Sequence, residues 1–293
     1  MRSIFTDNFP LIETESELQS LIKKYPSYDS YYVASGSIKE RRDHFDLLYS
    51  QYYSFADKNF LSDVKRHFHQ RTWEMYLSCV LLDNKIQISS EDRGPDILAK
   101  YEDRKVWIEC VACERGDGKD QVPSIVYGQA QNVPTDNMLL RIASALKEKY
   151  EKYRIYLANG IIKETDPFII AINGGAFGYP DGYFSSILRA VYAVGHPTIS
   201  MPVSGGPTTH GVSRVPFIEK KNGSKVPMTF FLEKEHEGIS AVIYARNSVL
   251  NLPDVSGKDL LIVYNGIAKN PLPSGIFSSF RVHKIDQSGN LNL

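Results

Sequence analysis

Three carboxylates stand in surroundings unlike those of ordinary surface charge: Glu74 within RTWEMYL, Asp96 within GPDIL and Glu109 within VWIECVA. Glu109 is the most informative of them. Apolar residues flank it in a segment that reads as a central strand, where an unpaired carboxylate is poorly tolerated. Asp96 precedes it by thirteen residues. A hairpin between them would bring the two acids to one end of a sheet. Two bare carboxylates about 4 Å apart repel by roughly 4 kcal/mol at an effective dielectric of 20. A divalent cation relieves that repulsion, and hard oxygen ligands suit Mg²⁺ or Mn²⁺. A metal held in this way activates water and offsets the charge that develops on a phosphodiester.

The elements that must position these groups follow from periodicity. Leu61, Val64, Phe68, Trp73, Leu77 and Val80–Leu81 recur at helical steps and predict one long helix over 60–82, with Glu74 on it. Strands are expected over 85–89, 96–101 and 105–112, the last two joined by a Glu102-Asp103 turn. The Gly-, Pro- and Asp-rich stretch 113–136 reads as a long loop. A helix over 137–153 follows, with Asp136 as its N-cap, and Pro167 opens a buried strand over 168–172. Upstream, residues 1–40 are tyrosine-rich and irregular, apart from a short helix over 15–24 closed by Pro26. Downstream, a helix is expected over 183–194 and two final strands over 239–245 and 260–264. The stretch 197–226 carries Arg214, Lys220, Lys221 and Lys225 and shows no periodicity.

The order helix, three strands, helix, strand, with Pro95-Asp96 and Glu109 in place, resembles the PD-(D/E)xK superfamily. The resemblance spans roughly residues 60–172. It implies an α/β fold with a restriction-endonuclease-like mixed β-sheet core flanked by helices. On this reading 1–59 is an N-terminal extension, 60–172 the core, and 173–293 a C-terminal part of the same domain or an accessory subdomain. Pro95-Asp96 matches the PD element, Glu109 the acidic position, and Glu74 the helix glutamate that many members place before the first strand. Asp96 and Glu109, with Glu74 as a third, are then the expected metal ligands.

One departure bears on the chemistry. The superfamily places Lys two residues after the acid, where this chain has Val111. Some members supply the cation from the following helix, and Lys149 is the matching candidate, as it falls on the apolar stripe Ile142, Leu146, Lys149, Tyr153. An ammonium on a buried face must meet a carboxylate or phosphate. Lys147 and Lys152 read as lying nearer the polar side. Arg71 and Arg141 are the candidate substrate contacts, and the Lys65-Arg66-His67 cluster could hold a phosphate backbone. Plainer roles exist for each group. Glu74 could pair with Arg71, Asp96 could serve a turn, and Lys149 could reach solvent along a buried stem.

Other motifs carry less. Cys110 and Cys113 form a C-x-x-C pair without a second pair to complete zinc. Gly174-Gly175-Ala176-Phe177-Gly178 fits neither nucleotide-binding glycine pattern and reads as a strand-to-helix loop. The 293-residue chain holds 34 Lys plus Arg against 34 Asp plus Glu, so no general basic surplus marks a non-specific nucleic-acid binder. Its three cysteines are too few for a secreted disulfide framework. No apolar run approaches the roughly 20 residues of a spanning helix. A cytoplasmic location without membrane association is therefore expected. The expected function is metal-dependent hydrolysis of phosphodiester bonds, in DNA ahead of RNA, with Mg²⁺ or Mn²⁺ as cofactor. Nucleic acid is the expected partner, and a homo-oligomer is compatible with the sequence. The alternatives are a nuclease fold that binds nucleic acid or protein without cleaving, and an interaction protein whose carboxylates balance Arg71 and Arg141.

Overall fold

The strand that carries Glu109 lies inside one mixed sheet. The computed structural model describes residues 2–90, 93–126, 128–203, 205–248, 251, 254–285 and 291–292. Four helices come first, α1 (Glu15–Lys24), α2 (Ser30–Ser37), α3 (Lys39–Tyr52) and the short α4 (Phe60–Asp63). Next are α5 (Phe68–Asp83), β1 (Gln87–Ser89), β2 (Ile97–Tyr101), β3 (Arg104–Ala112), α6 (Thr135–Ala158) and β4 (Phe168–Asn173). The remainder comprises α7 (Ser186–Tyr192), β5 (Val194–Ser200), β6 (Thr209–Arg214), β7 (Phe217–Glu219), β8 (Lys225–Pro227), β9 (Ala241–Ala245), β10 (Leu261–Tyr264), β11 (Arg281–Ile285) and β12 (Leu291–Asn292). The sheet runs β1-β2-β3-β4-β9-β10-β11-β12. β1, β2 and β3 pair antiparallel, β3, β4 and β9 lie parallel, and β10 runs against β9. The fold is thus mixed α/β.

Helices cover both faces of the sheet, and composition explains where each one lies. In α5 every side chain from Thr72 to Leu81 is buried, as expected of a helix enclosed on all sides. It packs with α2, α3 and α4 on one face of β3, against Ile108 and Cys110. The Trp73 indole N–H donates to the Ala171 carbonyl at 3.1 Å and ties α5 to β4. On the other face, Met138, Leu139, Ile142 and Leu146 of α6 pack with Trp107, Ile170 and Ile172. β4 is buried along its whole length, the pattern of a parallel strand with both faces covered.

Several elements differ from those the sequence predicts. The single helix over 60–82 is two helices, because a neighbouring turn caps a new start. The Phe68 N–H donates to Asp29 Oδ2 at 3.2 Å, while the Asp29 N–H donates to the Lys65 carbonyl at 2.7 Å. Asp136 lies inside the first turn of α6 and is not its N-cap, since the helix starts at Thr135 behind Pro134. The irregular N-terminal stretch contains α2 as well as α1. The stretch 197–226 contributes to two small hairpins, β5–β6 and β7–β8, whose largely exposed strands lack an apolar alternation to read. Two further strands, β11 and β12, follow the pair expected to finish the sheet. The expected strand-to-helix loop leaves β4 through a short 3₁₀ turn, Gly175–Phe177. A Cβ on Gly175 would sit 1.8 Å from the Asn247 carbonyl oxygen, so only glycine fits there. Among the described residues, no helix is long and apolar enough to cross a membrane.

Trp73 is only 1% exposed and joins a core contact to a buried hydrogen bond. Trp73→Ala is expected to destabilise the protein by about 3–5 kcal/mol. Urea unfolding followed by circular dichroism measures this, and a loss below about 1 kcal/mol would contradict the packing described.

Candidate active site

Glu109 sits in the middle of β3 and is 1% exposed. Its carboxylate points to α6 and is met by three groups from that helix. Lys149 Nζ approaches Oε1 at 3.2 Å, Lys152 Nζ approaches the same oxygen at 2.8 Å, and the Tyr156 hydroxyl donates to Oε2 at 3.1 Å. Residues 149, 152 and 156 are spaced three and four apart, so one helix face presents all three. Burial is the strongest single influence on the Lys149 ammonium and works against it, but Glu109, Glu148 and Asp96 act together in the opposite direction and hold it charged above the usual lysine range. The Tyr156 hydroxyl is likewise raised, by burial and then by Glu109.

Asp96 lies one residue before β2. The pairing of Ile97 with Ile108 sets it across from Glu109. Its Oδ2 accepts the Cys110 N–H at 2.7 Å, and Oδ1 has no hydrogen-bond partner among the described residues. Burial, then the charges of Glu109 and Glu74, push its carboxyl up to about 8, against the pull of the Cys110 N–H and Lys149. Such a shift marks functional sites often enough to direct attention here.

Glu74 arrives from α5 on the other side of β3. Its Oε1 accepts Gln70 Nε2 at 2.8 Å and its Oε2 accepts Arg71 Nη1 at 2.7 Å. Burial raises its carboxyl most, while Arg71 and Gln70 pull it back down. Gln70 acts as a splint between helix and strand. The same amide donates to the Cys110 carbonyl at 3.2 Å and accepts the Ala112 N–H at 2.8 Å. A cavity of about 460 Å³ opens beside these groups, with Glu74 and Asp96 on its wall together with Arg71, Lys58 and Arg93.

The two arginines expected to reach substrate have partners already. Arg71 pairs with Asp57 as well as with Glu74, and its side chain is 13% exposed. Arg141 donates to the Glu114 carbonyl at 3.0 Å and lies under Gly116, holding the start of the long loop. Neither makes a hydrogen bond or ion pair with Asp96 or Glu109. Cys79, Cys110 and Cys113 are free and buried. The sequence places Lys152 nearer the polar side of its helix and does not single out Gln70 or Tyr156. Their helical spacing from Glu74 and Lys149 is the signal that points to them.

The donor chemistry fits a hard divalent cation, since carboxylate oxygens are its preferred ligands. The arrangement is one step removed from a ready-made cage. Among the described residues, the one trio of His, Cys, Asp or Glu groups whose ligand atoms all lie within 4.8 Å of one another is Glu233, Glu235 and His236. Glu74, Asp96 and Glu109 are each drawn toward a protein partner instead. No protein-family model, curated protein or solved structure matches this chain.

The raised Asp96 carboxyl has a consequence for stability. Between its ordinary value of 3.8 and about 8 the folded chain binds a proton that the unfolded chain does not. Folding stability of the metal-free protein therefore falls as pH rises through this window. Chemical denaturation at pH 5 and pH 8 in a chelator is expected to show that fall, and Asp96→Asn to flatten it. An equal slope in wild type and variant would contradict the assignment.

Proposed function

We propose that this protein is a metal-dependent phosphodiesterase with a restriction-endonuclease-like core, acting on nucleic acid, DNA ahead of RNA. The observation that carries the reading is the buried Glu109, with Asp96 across from it and the Lys149 ammonium beside it where Val111 offers no cation. Asp96 and Glu109 hold Mg²⁺ or Mn²⁺, with Glu74 as a third carboxylate. A divalent cation bound there supplies water activation and offsets phosphodiester charge. Lys149 stays protonated and orients the attacking water or steadies the reacting phosphate. Arg71 fixes the orientation of Glu74 through its ion pair. The cavity beside Glu74 and Asp96 receives the phosphate backbone, with Lys58 and Arg93 in reach of it. Three free, buried cysteines suit the reducing cytoplasm.

A second reading rests on the partners Glu109 already has. With both oxygens engaged by Lys149, Lys152 and Tyr156, the domain would bind nucleic acid without cleaving it. Cleavage assays with wild type and Glu109→Ala separate the two, using single- and double-stranded DNA and RNA with Mg²⁺, Mn²⁺ or EDTA. The nuclease reading expects metal-dependent cleavage that falls on the order of a hundredfold or more in the variant, at least the loss known for outer-shell partners of metal ligands. No cleavage of any substrate, together with no Mn²⁺ binding, would select the non-cleaving module.

A further inference from the structure

Glu233, Glu235 and His236 lie apart from Glu109, where two short 3₁₀ turns, Phe230–Leu232 and Lys234–His236, follow β8. The His236 N–H donates to the Glu233 carbonyl at 3.0 Å. Side chains three apart nearly eclipse in such a turn, which sets Glu233 beside His236. The backbone is pinned from outside. The Tyr150 hydroxyl donates to the Glu235 carbonyl at 2.6 Å, and Asn265 Nδ2 donates to the His236 carbonyl at 3.1 Å. The Thr229 hydroxyl donates to Glu233 Oε1. His236 is 8% exposed, and its ring stacks on Phe230 with centroids 3.8 Å apart and packs against Tyr150 at 4.7 Å. Packing thus fixes the imidazole, yet it makes no hydrogen bond, and its Nδ1 is buried without a partner. A buried polar ring left unsatisfied is costly. Its Nε2 stands 3.3 Å from Glu235 Oε1.

We propose that Glu233, Glu235 and His236 bind Zn²⁺, at a site separate from the acids around β3. Bonds of about 2.0–2.2 Å to a tetrahedral Zn²⁺ place neighbouring ligand atoms roughly 3.3–3.6 Å apart. The His236 Nε2 and Glu235 Oε1 atoms already have that spacing, and the ligand atoms of all three residues lie within 4.8 Å of one another. An imidazole nitrogen suits Zn²⁺ and not Mg²⁺ or Ca²⁺, which take oxygen ligands. The two carboxylates cancel the double charge of the ion. Three protein ligands leave a fourth position for water or an exchangeable ligand, unlike the closed four-ligand sites that serve structure alone. Space for such a ligand is present. A cavity of about 500 Å³ is lined by all three residues, with Lys147, Tyr150 and Arg154 of α6 also on its wall. These α6 residues recur at three- and four-residue steps on a different helix face from Lys149, Lys152 and Tyr156. The site therefore shares no group with the surroundings of Glu109.

The test is titration calorimetry of the full-length protein with Zn²⁺, comparing wild type with His236→Gln, Glu235→Gln, Thr229→Val and Glu15→Gln. Wild type should show a Zn²⁺ binding step that a large excess of Mg²⁺ does not displace. His236→Gln and Glu235→Gln should each weaken that step by at least about tenfold, no less than the loss of an outer-shell partner causes. Thr229→Val, which removes such a partner from Glu233, should weaken it by about tenfold. Glu15→Gln, an exposed change in α1, should leave it as in wild type. The Glu235 side chain is 64% exposed, so Glu235→Gln keeps the fold even where His236→Gln does not, and circular dichroism checks both. Co²⁺ in place of Zn²⁺ should give visible d–d bands without the thiolate charge-transfer absorption that binding at a cysteine would add. A chain that binds no Zn²⁺, binding equally tight in wild type and Glu235→Gln, displacement by Mg²⁺, or a thiolate band each overturns the site.

Discussion

A carboxylate that is 1% exposed in the middle of a central strand must be compensated, and the surroundings of Glu109 meet that requirement. Removing one partner of a buried pair leaves an uncompensated charge and costs about 3–5 kcal/mol. The compensation here comes from a single helix face, so α6 must pack over β3 in one rotational setting. That setting follows from the apolar stripe of α6, which buries Met138, Leu139, Ile142 and Leu146 on the same sheet face. Packing and electrostatics thus select the same orientation, the agreement between levels that lets a sequence specify one structure.

The opposite face of β3 is fixed by different means. α5 is anchored by the Trp73 indole on β4 and by the Gln70 amide, which reaches Glu74 and two backbone groups of β3. The carboxylate from the helix and the carboxylates from the hairpin are therefore held by bonds that do not depend on one another. Asp96 joins the two sides, since burial and the charges of both Glu109 and Glu74 act on it. Its second oxygen is the one carboxylate position among the three without a protein partner among the described residues.

Much of this was legible in the sequence, for identifiable reasons. The three carboxylates stood out because each broke an apolar or turn pattern that has a strong physical basis. The strands around them are legible because β4 is buried along its whole length and β3 is buried from Val106 to Cys110. Lys149 was found as the polar residue on an apolar stripe, and it does meet Glu109. Lys152 was assigned to the polar face, and its half-exposed stem explains why, as its head still reaches inward. The break between α4 and α5 was hidden because its cause, Asp29, lies far away in the chain. The exposed hairpins β5–β6 and β7–β8 left no alternation for a pattern to register. Arg71 and Arg141 were assigned by proximity in sequence, which says nothing of the acid and carbonyl that hold them.

The ion pairs around β3 also bear on how such a protein ages in evolution. In small metal-dependent domains the ion is part of the folding free energy, and chelation unfolds them. Here Arg71 pairs with Glu74, and Lys149 and Lys152 pair with Glu109, so these two acids are compensated by the chain itself. On the proposed reading, one substitution at Asp96 would remove a metal ligand and leave the ion pairs of Glu74 and Glu109 in place, a folded scaffold free to be retained for whatever surface it presents.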